Sequence, residues 1–251
     1  MESQFHLYEN DREEKIEIFQ PEDSPSTIGL LIDNSGSMLD KRSDVVKMAL
    51  AFIAASHPQN ENFIVNFNRN AWLALPSSHA FTSDWLQLRA TLTQTRAEGT
   101  TALYDAISLA LNHLEKNTRR RTALLVVSDG ADNASLAHFD EVLRLAQQSS
   151  ATIYCVGIYD AAQRDRDPAA LKAIASATGG EAFFPDSLAN LHSISPQIAA
   201  AIRGQYMLGY VPSNPTRLGG YRKINVTASD EDGRLLHVQA RPGYVARGSI
   251  A

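Results

Sequence analysis

Three runs of apolar residues mark the centre of the fold that this chain predicts. Residues 28–32, 123–127 and 152–158 are apolar or glycine almost throughout, and turn-forming residues bound each run. A short, continuous apolar run between turns is typical of a strand that is buried on both faces. We therefore expect three buried strands within one sheet.

Segments with the spacing of one helix face alternate with these strands. Between Asp40 and Ser56 apolar residues recur at helical intervals, and Asp40 and Asp44 lie where the helix dipole favours acids. Similar patterns predict helices at 83–97, 101–117, 135–148, 168–178 and 187–203, and short strands at 63–67, 71–75 and 181–184. This alternation predicts an α/β fold: a doubly wound, mostly parallel sheet of six strands with helices on both faces.

Both ends of the chain lack this alternation. Residues 5–8 and 16–19 alternate apolar and polar side chains across a polar stretch, which predicts a hairpin, and a linker follows from Gln20. Strand patterns without an intervening helix occur at 205–211, 222–228 and 236–240. The ends therefore predict β structure outside the main sheet.

We expect the chain to divide into three parts at these changes of pattern. Residues 1–25 form an N-terminal hairpin and linker, residues 26–204 form the α/β domain, and residues 205–251 form C-terminal strands. Because chain termini tend to lie close together, we expect the C-terminal strands to pair with the hairpin as a small β appendage.

Oxygen-bearing side chains follow the buried strands where each strand ends. Asp33, Ser35 and Ser37 come at alternate positions after the first run, Asp129 ends the second, and Thr101 lies in a loop that leads into a helix. Ligands of open α/β sheets bind just outside the carboxyl ends of the strands. Carboxylate and hydroxyl oxygens suit an octahedral divalent cation, so these five residues form a candidate metal site.

Each of these residues also has an interpretation without a metal. Ser37 can cap the following helix, and Ser35 can hydrogen-bond to the backbone of the turn. Thr100 is an alternative to Thr101 as the loop ligand. The five residues together favour the metal, because burying acids near each other without a cation is costly.

Neighbouring polar residues have simpler roles as their first interpretation. Asp105 falls in the first turn of a helix, where the dipole favours an acid. Asp132 and Asn133 are typical turn formers that can also border the site. The seven histidines show no paired spacing, which argues against a zinc site.

The three loops resemble the metal-ion-dependent adhesion site of von Willebrand factor type A domains, the relatives of integrin I domains. The resemblance spans residues 26–204 and rests on three motifs: Asp33-x-Ser35-x-Ser37, Gly99-Thr100-Thr101-Ala102-Leu103-Tyr104-Asp105 and Ser128-Asp129-Gly130. It implies that Asp33, Ser35 and Ser37 form the first liganding loop, Thr101 the second and Asp129 the third. It also implies the strand order 3-2-1-4-5-6, which places the strands ending at Asp33 and Asp129 side by side at the topological switch point.

The resemblance implies a protein-binding module rather than an enzyme. A cation (Mg²⁺, or Mn²⁺ or Ca²⁺) held by these side chains keeps at least one position for solvent or an incoming ligand. In the family, an Asp or Glu carboxylate of a partner protein completes the shell. Two alternatives stay open: a scaffold whose metal serves folding alone, and a Mg²⁺-dependent hydrolase or phosphotransferase. The enzyme is the weaker alternative, because the chain has no P-loop, no G-x-S-x-G elbow and no motif that pairs a nucleophile with a base.

Composition narrows the partners and the location. The net charge of −5 argues against nucleic acid, and Arg119-Arg120-Arg121 is the only basic cluster. The single cysteine, Cys155, lies in a buried run and excludes an intramolecular disulfide.

We expect no direct membrane insertion, because no apolar run is long enough and the N-terminus lacks a signal peptide. The outer segments, such as Tyr206-Met207-Leu208-Gly209-Tyr210, resemble a bacterial subgroup of the family that is usually exported, which implies an extracytoplasmic or secreted location. The sequence does not determine the oligomeric state; we favour a monomer.

Overall fold

The computed structural model describes residues 4–76, 78–159, 166–214 and 220–246 of the chain. Within them the strands, numbered in chain order, are β1 (Phe5–Glu9), β2 (Arg12–Glu14), β3 (Ile16–Glu22), β4 (Thr27–Asp33), β5 (Glu61–Phe67), β6 (Ala71–Leu73), β7 (Thr122–Ser128), β8 (Thr152–Gly157), β9 (Ala182–Phe183), β10 (Gln205–Tyr210), β11 (Tyr221–Ala228) and β12 (Gly243–Val245). The helices are α1 (Arg42–Ala55), α2 (Trp85–Gln94), α3 (Leu103–Leu114), α4 (Phe139–Gln148), α5 (Pro168–Ala177) and α6 (Leu191–Arg203). Each helix expected from the sequence is present and is shorter than its pattern.

The main sheet has the order β6-β5-β4-β7-β8-β9. Neighbouring strands are parallel except β5 and β6, which are antiparallel. The α/β class, the six strands and the order implied by the resemblance are thus confirmed. Strands β4 and β7 lie side by side with Ile32 opposite Val127, so the residues that follow these two positions meet at one edge of the sheet.

Helices cover both faces of this sheet and bury its side chains. Along β4, Ile28, Leu30 and Ile32 face a core that includes side chains of α1, α2 and α6. Leu31 faces a second core with side chains of α3, α4 and α5. Every residue of β4 is buried, which is the pattern expected for a central parallel strand.

The two chain ends form a β appendage, as the sequence predicts. One sheet has the order β12-β11-β1-β2, and β3 pairs with β10 in a second sheet. Each sheet therefore combines an N-terminal strand with a C-terminal strand.

The details of the terminal pairing correct two predictions. The hairpin that pairs residues 5–8 with 16–19 is wrong: β1 pairs with β2, and β3, which extends to Glu22 into the predicted linker, pairs with β10. Asn10 and Asp11 both have positive φ, at 50° and 65°. These angles make a two-residue turn, which fixes β2 as a partner of β1. The strand predicted at 236–240 is also wrong: only Leu235 forms an isolated bridge, to Ser229, and the edge strand is β12.

A buried ion pair joins the strands of the appendage. The Glu9 side chain is 3 % exposed and that of Arg222 is 5 % exposed. One carboxylate oxygen of Glu9 accepts a hydrogen bond from Arg222, and the other accepts from the hydroxyls of Tyr210 and Tyr244. Glu9 of β1 is thereby tied to β10, β11 and β12. Burial acts to raise the pKa of Glu9, but the three hydrogen bonds outweigh it and hold this pKa below its usual value.

Glu9→Gln should weaken the appendage. The variant keeps the shape of the side chain and removes the charge opposite Arg222, so we expect the free energy of unfolding to fall by roughly 2 kcal/mol at neutral pH. A carboxylate with a lowered pKa stabilises the folded state above the ordinary pKa, about 4.5, and loses this effect as the pH falls further. The difference between wild type and variant should therefore shrink in acid, which urea unfolding at a series of pH values measures.

Glu13→Gln is the matched control. Glu13 forms an exposed pair with His6 at 2.7 Å, and exposed pairs contribute at most about 1 kcal/mol. Equal losses in the two variants, or a Glu9 difference that persists unchanged in acid, would contradict the role of the buried pair.

Candidate metal centre

The first loop begins where β4 ends at Asp33. The Ser35 amide donates to Asp33 Oδ1 over 2.8 Å, and the chain then makes a single turn of 3-10 helix, Gly36–Met38. The hydroxyl oxygens of Ser35 and Ser37 lie 3.1 Å apart. The side chain of Ser35 makes no helix-capping hydrogen bond, and α1 begins after Lys41, so neither serine caps that helix.

The third loop brings a second acid to the first. Asp129 directly follows β7, and its Oδ2 accepts a hydrogen bond from the Ser37 hydroxyl over 2.6 Å. Ser128, the last residue of β7, donates its hydroxyl proton to Asp33 Oδ2 over 2.6 Å. Gly130 has a φ of +79°, and a side-chain carbon there would lie 2.5 Å from the carbonyl oxygen of Asp167. Glycine is therefore required where this loop passes Asp167.

The second loop is held between the other two. The Gly36 amide donates to the Gly99 carbonyl over 2.9 Å, which joins the second loop to the first. The Thr101 amide donates to Asn133 Oδ1 over 2.8 Å, and the Thr101 carbonyl accepts from the Asn133 amide, which joins the second loop to the third. Thr101 is 3 % exposed, whereas Thr100 is exposed. Of the two threonines, Thr101 is the buried one.

The structure places all five candidate residues at this edge of the sheet. Asp33, Ser35, Ser37 and Asp129 form one continuous chain of hydrogen bonds. Thr101 is connected to that chain through the backbone of the adjoining loops. Asp33, Ser35, Thr101 and Asp129 are buried, and Ser37 is exposed at the surface.

Two residues outside the five candidates hold members of the site in place. Ser128 holds Asp33 from the neighbouring strand, and Asn133, expected as a turn former that can also border the site, holds Thr101. The parallel register would have indicated Ser128, since the residue after Val127 lies beside the residue after Ile32. The contact of Asn133 depends on the conformation of two loops and has no signal in the local pattern.

The neighbouring acids have backbone partners. Asp105, which lies in the first turn of α3, accepts hydrogen bonds from the amides of Leu136 and Ala137. Asp132 accepts from the Tyr104 amide and the Ser135 hydroxyl. These acids fix the loops around the site.

Two buried carboxylates give the site its electrostatic character. The side chains of Asp33 and Asp129 are both fully buried. Burial, with a smaller contribution from the charge of Asp129, raises the pKa of Asp33 to about 6, although hydrogen bonds from Ser128 and Ser35 act in the opposite direction. Burial and the charge of Asp129 also raise the pKa of the Tyr159 hydroxyl. At Asp33 the hydrogen bonds thus offset the effect of burial only in part.

The donor chemistry of these residues fits a hard divalent cation. Two carboxylates and three hydroxyls supply oxygen donors from three loops, which is the kind of site that Mg²⁺, Mn²⁺ or Ca²⁺ takes. In the described ranges, no group of three or more His, Cys, Asp or Glu side chains could hold a metal. A site here would therefore depend on its hydroxyl groups as well as its acids.

Comparisons with solved structures show the same fold. A von Willebrand factor type A protein from Catenulispora acidiphila aligns with a TM-score of 0.66 at 15 % identity, over 98 % of this chain and 74 % of that one. The von Willebrand factor domain of the type V pilus tip protein Mfa5 from Porphyromonas gingivalis gives 0.61 at 14 % identity, over 76 % and 99 %. An aerotolerance-related membrane protein from Bacteroides fragilis gives 0.57 at 19 % identity, over 72 % and 100 %.

Sequence comparison adds the family. A search of curated proteins gives no match. In the described residues, no helix has the length and apolar character needed to cross a membrane. The sequence profile of the von Willebrand factor type A domain covers residues 27–197, most of the chain and all five candidate residues. The chain belongs to the von Willebrand factor type A domain family.

Proposed function

We propose that this chain is a divalent-metal-dependent protein-binding module. Asp33, Ser35, Ser37, Thr101 and Asp129 would hold Mg²⁺, with Mn²⁺ or Ca²⁺ as substitutes, and an Asp or Glu carboxylate of a partner protein would complete the shell. The observation that carries the proposal is the meeting of two fully buried acids, Asp33 and Asp129, with hydroxyl donors at the switch point of the sheet. Domains of this family typically mediate adhesion between proteins and are generally not enzymes.

The acids and the hydroxyls would contribute differently to such a site. Asp33 and Asp129 would neutralise the formal charge of a divalent cation, and the hydroxyls of Ser35, Ser37 and Thr101 would add neutral oxygens. When bound, the cation supplies an electrophilic position that attracts a hard anionic oxygen. Ser37 lies at the solvent side of the hydrogen-bonded chain, because it is the exposed residue among the five candidates. A partner would reach the site from that side.

The proposal extends to the organisation of the chain. Residues 26–204 would form the binding module, with residues 1–25 and 205–251 as its appendage. An extracytoplasmic location and a monomeric state complete the proposal. The membrane protein and the pilus tip protein among the structural neighbours agree with a location at the cell surface.

Asp33→Asn should abolish metal binding. The variant keeps the size of the side chain but removes one of the two charges that a cation needs here. We expect calorimetry with Mg²⁺ and Mn²⁺ to show binding to the wild type and at least tenfold weaker binding to the variant. At a metal concentration of one hundred times Kd, the wild type should gain about 2.7 kcal/mol in the free energy of unfolding, and the variant should gain little.

Asp40→Asn is the matched control, because Asp40 is an exposed acid just beyond the first loop. This variant should bind metal as the wild type does. Absence of Mg²⁺ and Mn²⁺ binding to the wild type would overturn the metal proposal, as would equal stabilisation of the wild type and Asp33→Asn by metal.

A carboxylate should displace water from the loaded site. In Mn²⁺-loaded protein, water molecules that exchange at open coordination positions enhance the relaxation of solvent protons. We expect titration with acetate to lower this enhancement, because a carboxylate oxygen replaces a bound water, and titration with neutral acetamide to leave it unchanged. Proton relaxation measured with both compounds tests the partner chemistry separately from metal affinity.

The same measurement separates the proposal from a scaffold whose metal serves folding alone. A folding-only metal predicts that acetate and acetamide act alike although metal raises stability. That result would refute the partner carboxylate and leave the metal site standing.

A further inference from the structure

A cavity of about 620 Å³ lies between the appendage and the main sheet. Its floor includes Thr152 and Tyr154 of β8 and Ala201 of α6, and its walls come from β1, β10 and β11. Thr152 begins β8, whereas Gly157 at the other end of this strand pairs with Ser128 beside the metal loops. The five residue steps along β8 from Thr152 to Gly157 correspond to roughly 17 Å. The cavity is therefore at the opposite pole of the sheet from the candidate metal centre.

The walls of this cavity are apolar and incompletely covered. Leu7 and Leu208 line it from β1 and β10, and Ile224 and Val226 line it from β11. Leu7 is buried, but Leu208, Ile224 and Val226 keep part of their surface exposed. Side chains on the inner faces of two packed sheets normally interdigitate and exclude water. The described chain leaves this inner face unfilled.

Two side-chain clusters join the walls at either end. Phe5 of β1, Phe19 of β3 and Tyr206 of β10 form one cluster, with ring centroids 5.0 to 5.5 Å apart. The second is the hydrogen-bonded group of Glu9, Tyr210 and Tyr244 described above. Phe5 and Glu9 are the two ends of β1, so the clusters lie roughly 13 Å apart. Because these clusters close the cavity at both ends of β1, the cavity suits a compact molecule rather than an extended peptide that passes through it.

Residues 236–241 form a segment that lines the cavity and is anchored at both ends. The Leu236 amide donates to the Ala228 carbonyl over 2.8 Å. At the other end, the guanidinium of Arg241 donates to the carbonyls of Gln147 and Ala151 over 3.0 and 3.2 Å. Gly179 lets this segment approach the floor, since a side-chain carbon there would lie 2.6 Å from the Arg241 amide nitrogen. The cavity wall is thus a fixed part of the fold.

Two charged groups near the cavity are held by hydrogen bonds. Arg241 is bound to two carbonyls, and Glu9 is bound to Arg222 and two tyrosines. The buried hydroxyl of Tyr154 accepts a hydrogen bond from the Gln205 amide over 3.2 Å and can still donate its own proton to a ligand. The described lining therefore combines apolar contacts with polar groups, among them Tyr154, His237 and Gln239, and with the cation of Arg241.

We propose that this cavity binds one mainly apolar small molecule that directs a polar group at Tyr154. Its volume lies in the range of about 300–1,000 Å³ that small-molecule sites occupy. The site is independent of the metal centre and goes beyond the proposed function. It gives the appendage a binding role of its own.

Binding of the neutral fluorophore N-phenyl-1-naphthylamine tests this proposal. The wild type should bind one molecule saturably, with increased fluorescence, and a chelator should not change the affinity. Val226→Trp and Ala201→Trp each place a large side chain in the cavity, so each should weaken binding at least tenfold.

Asn225→Trp is the matched control, because neighbouring residues of a strand point to opposite faces and Asn225 is exposed. It should bind the probe as the wild type does. Methyl NMR provides a readout on the wild type alone: the probe should shift the methyl signals of Leu208, Ile224 and Val226. The proposal fails if the wild type shows no saturable binding, if all variants bind equally, or if the shifted methyls lie elsewhere.

Discussion

The burial of two carboxylates at adjoining strand ends is the constraint on which the rest of this structure depends. Strand β4 is buried along its whole length, so the acid that ends it is drawn out of water with the strand. The parallel register then brings Asp129 to the same edge. Burying a carboxylate is costly unless hydrogen bonds or a cation compensate it. The raised pKa of Asp33 indicates that the hydrogen bonds in the protein compensate it only in part.

The loops around these acids are organised by backbone contacts. Gly36 is joined to Gly99, and Thr101 is joined to Asn133, so each loop fixes the next. Ser128 orients Asp33 from the neighbouring strand. The hydroxyl and carboxylate oxygens are therefore placed before any ligand arrives, which lowers the entropic cost of binding. The appendage, at the opposite end of the main sheet, is also held by buried charged groups. There the pair of Glu9 and Arg222 joins strands from both ends of the chain.

Much of the fold and of the candidate site could be predicted from the sequence because it depends on local patterns. Buried parallel strands are continuous apolar runs, and the acids that end them lie at the sheet edge. The motif favours Thr101 over Thr100 as the loop ligand, and the structure adds that Thr101 is buried whereas Thr100 is exposed. The terminal strands were paired incorrectly because the turn at Asn10 and Asp11 fixes one partner, while β3 pairs with a strand far along the chain. Residues 236–240 have the sequence pattern of a strand but do not pair with another strand. The apolar residues among them line a cavity instead.

Anomalous scattering from crystals grown with Mn²⁺ would show directly whether these residues hold a cation. We expect a single strong peak at the edge of the main sheet, about 2.1–2.3 Å from the hydroxyl oxygens of Ser35 and Ser37, with Thr101 and the two acids around it. In that state the Ser37 hydroxyl and the Asp129 carboxylate would share the ion or its bound water. A well-ordered site with no peak and with the hydrogen bond from Ser37 to Asp129 retained would contradict the proposed metal site.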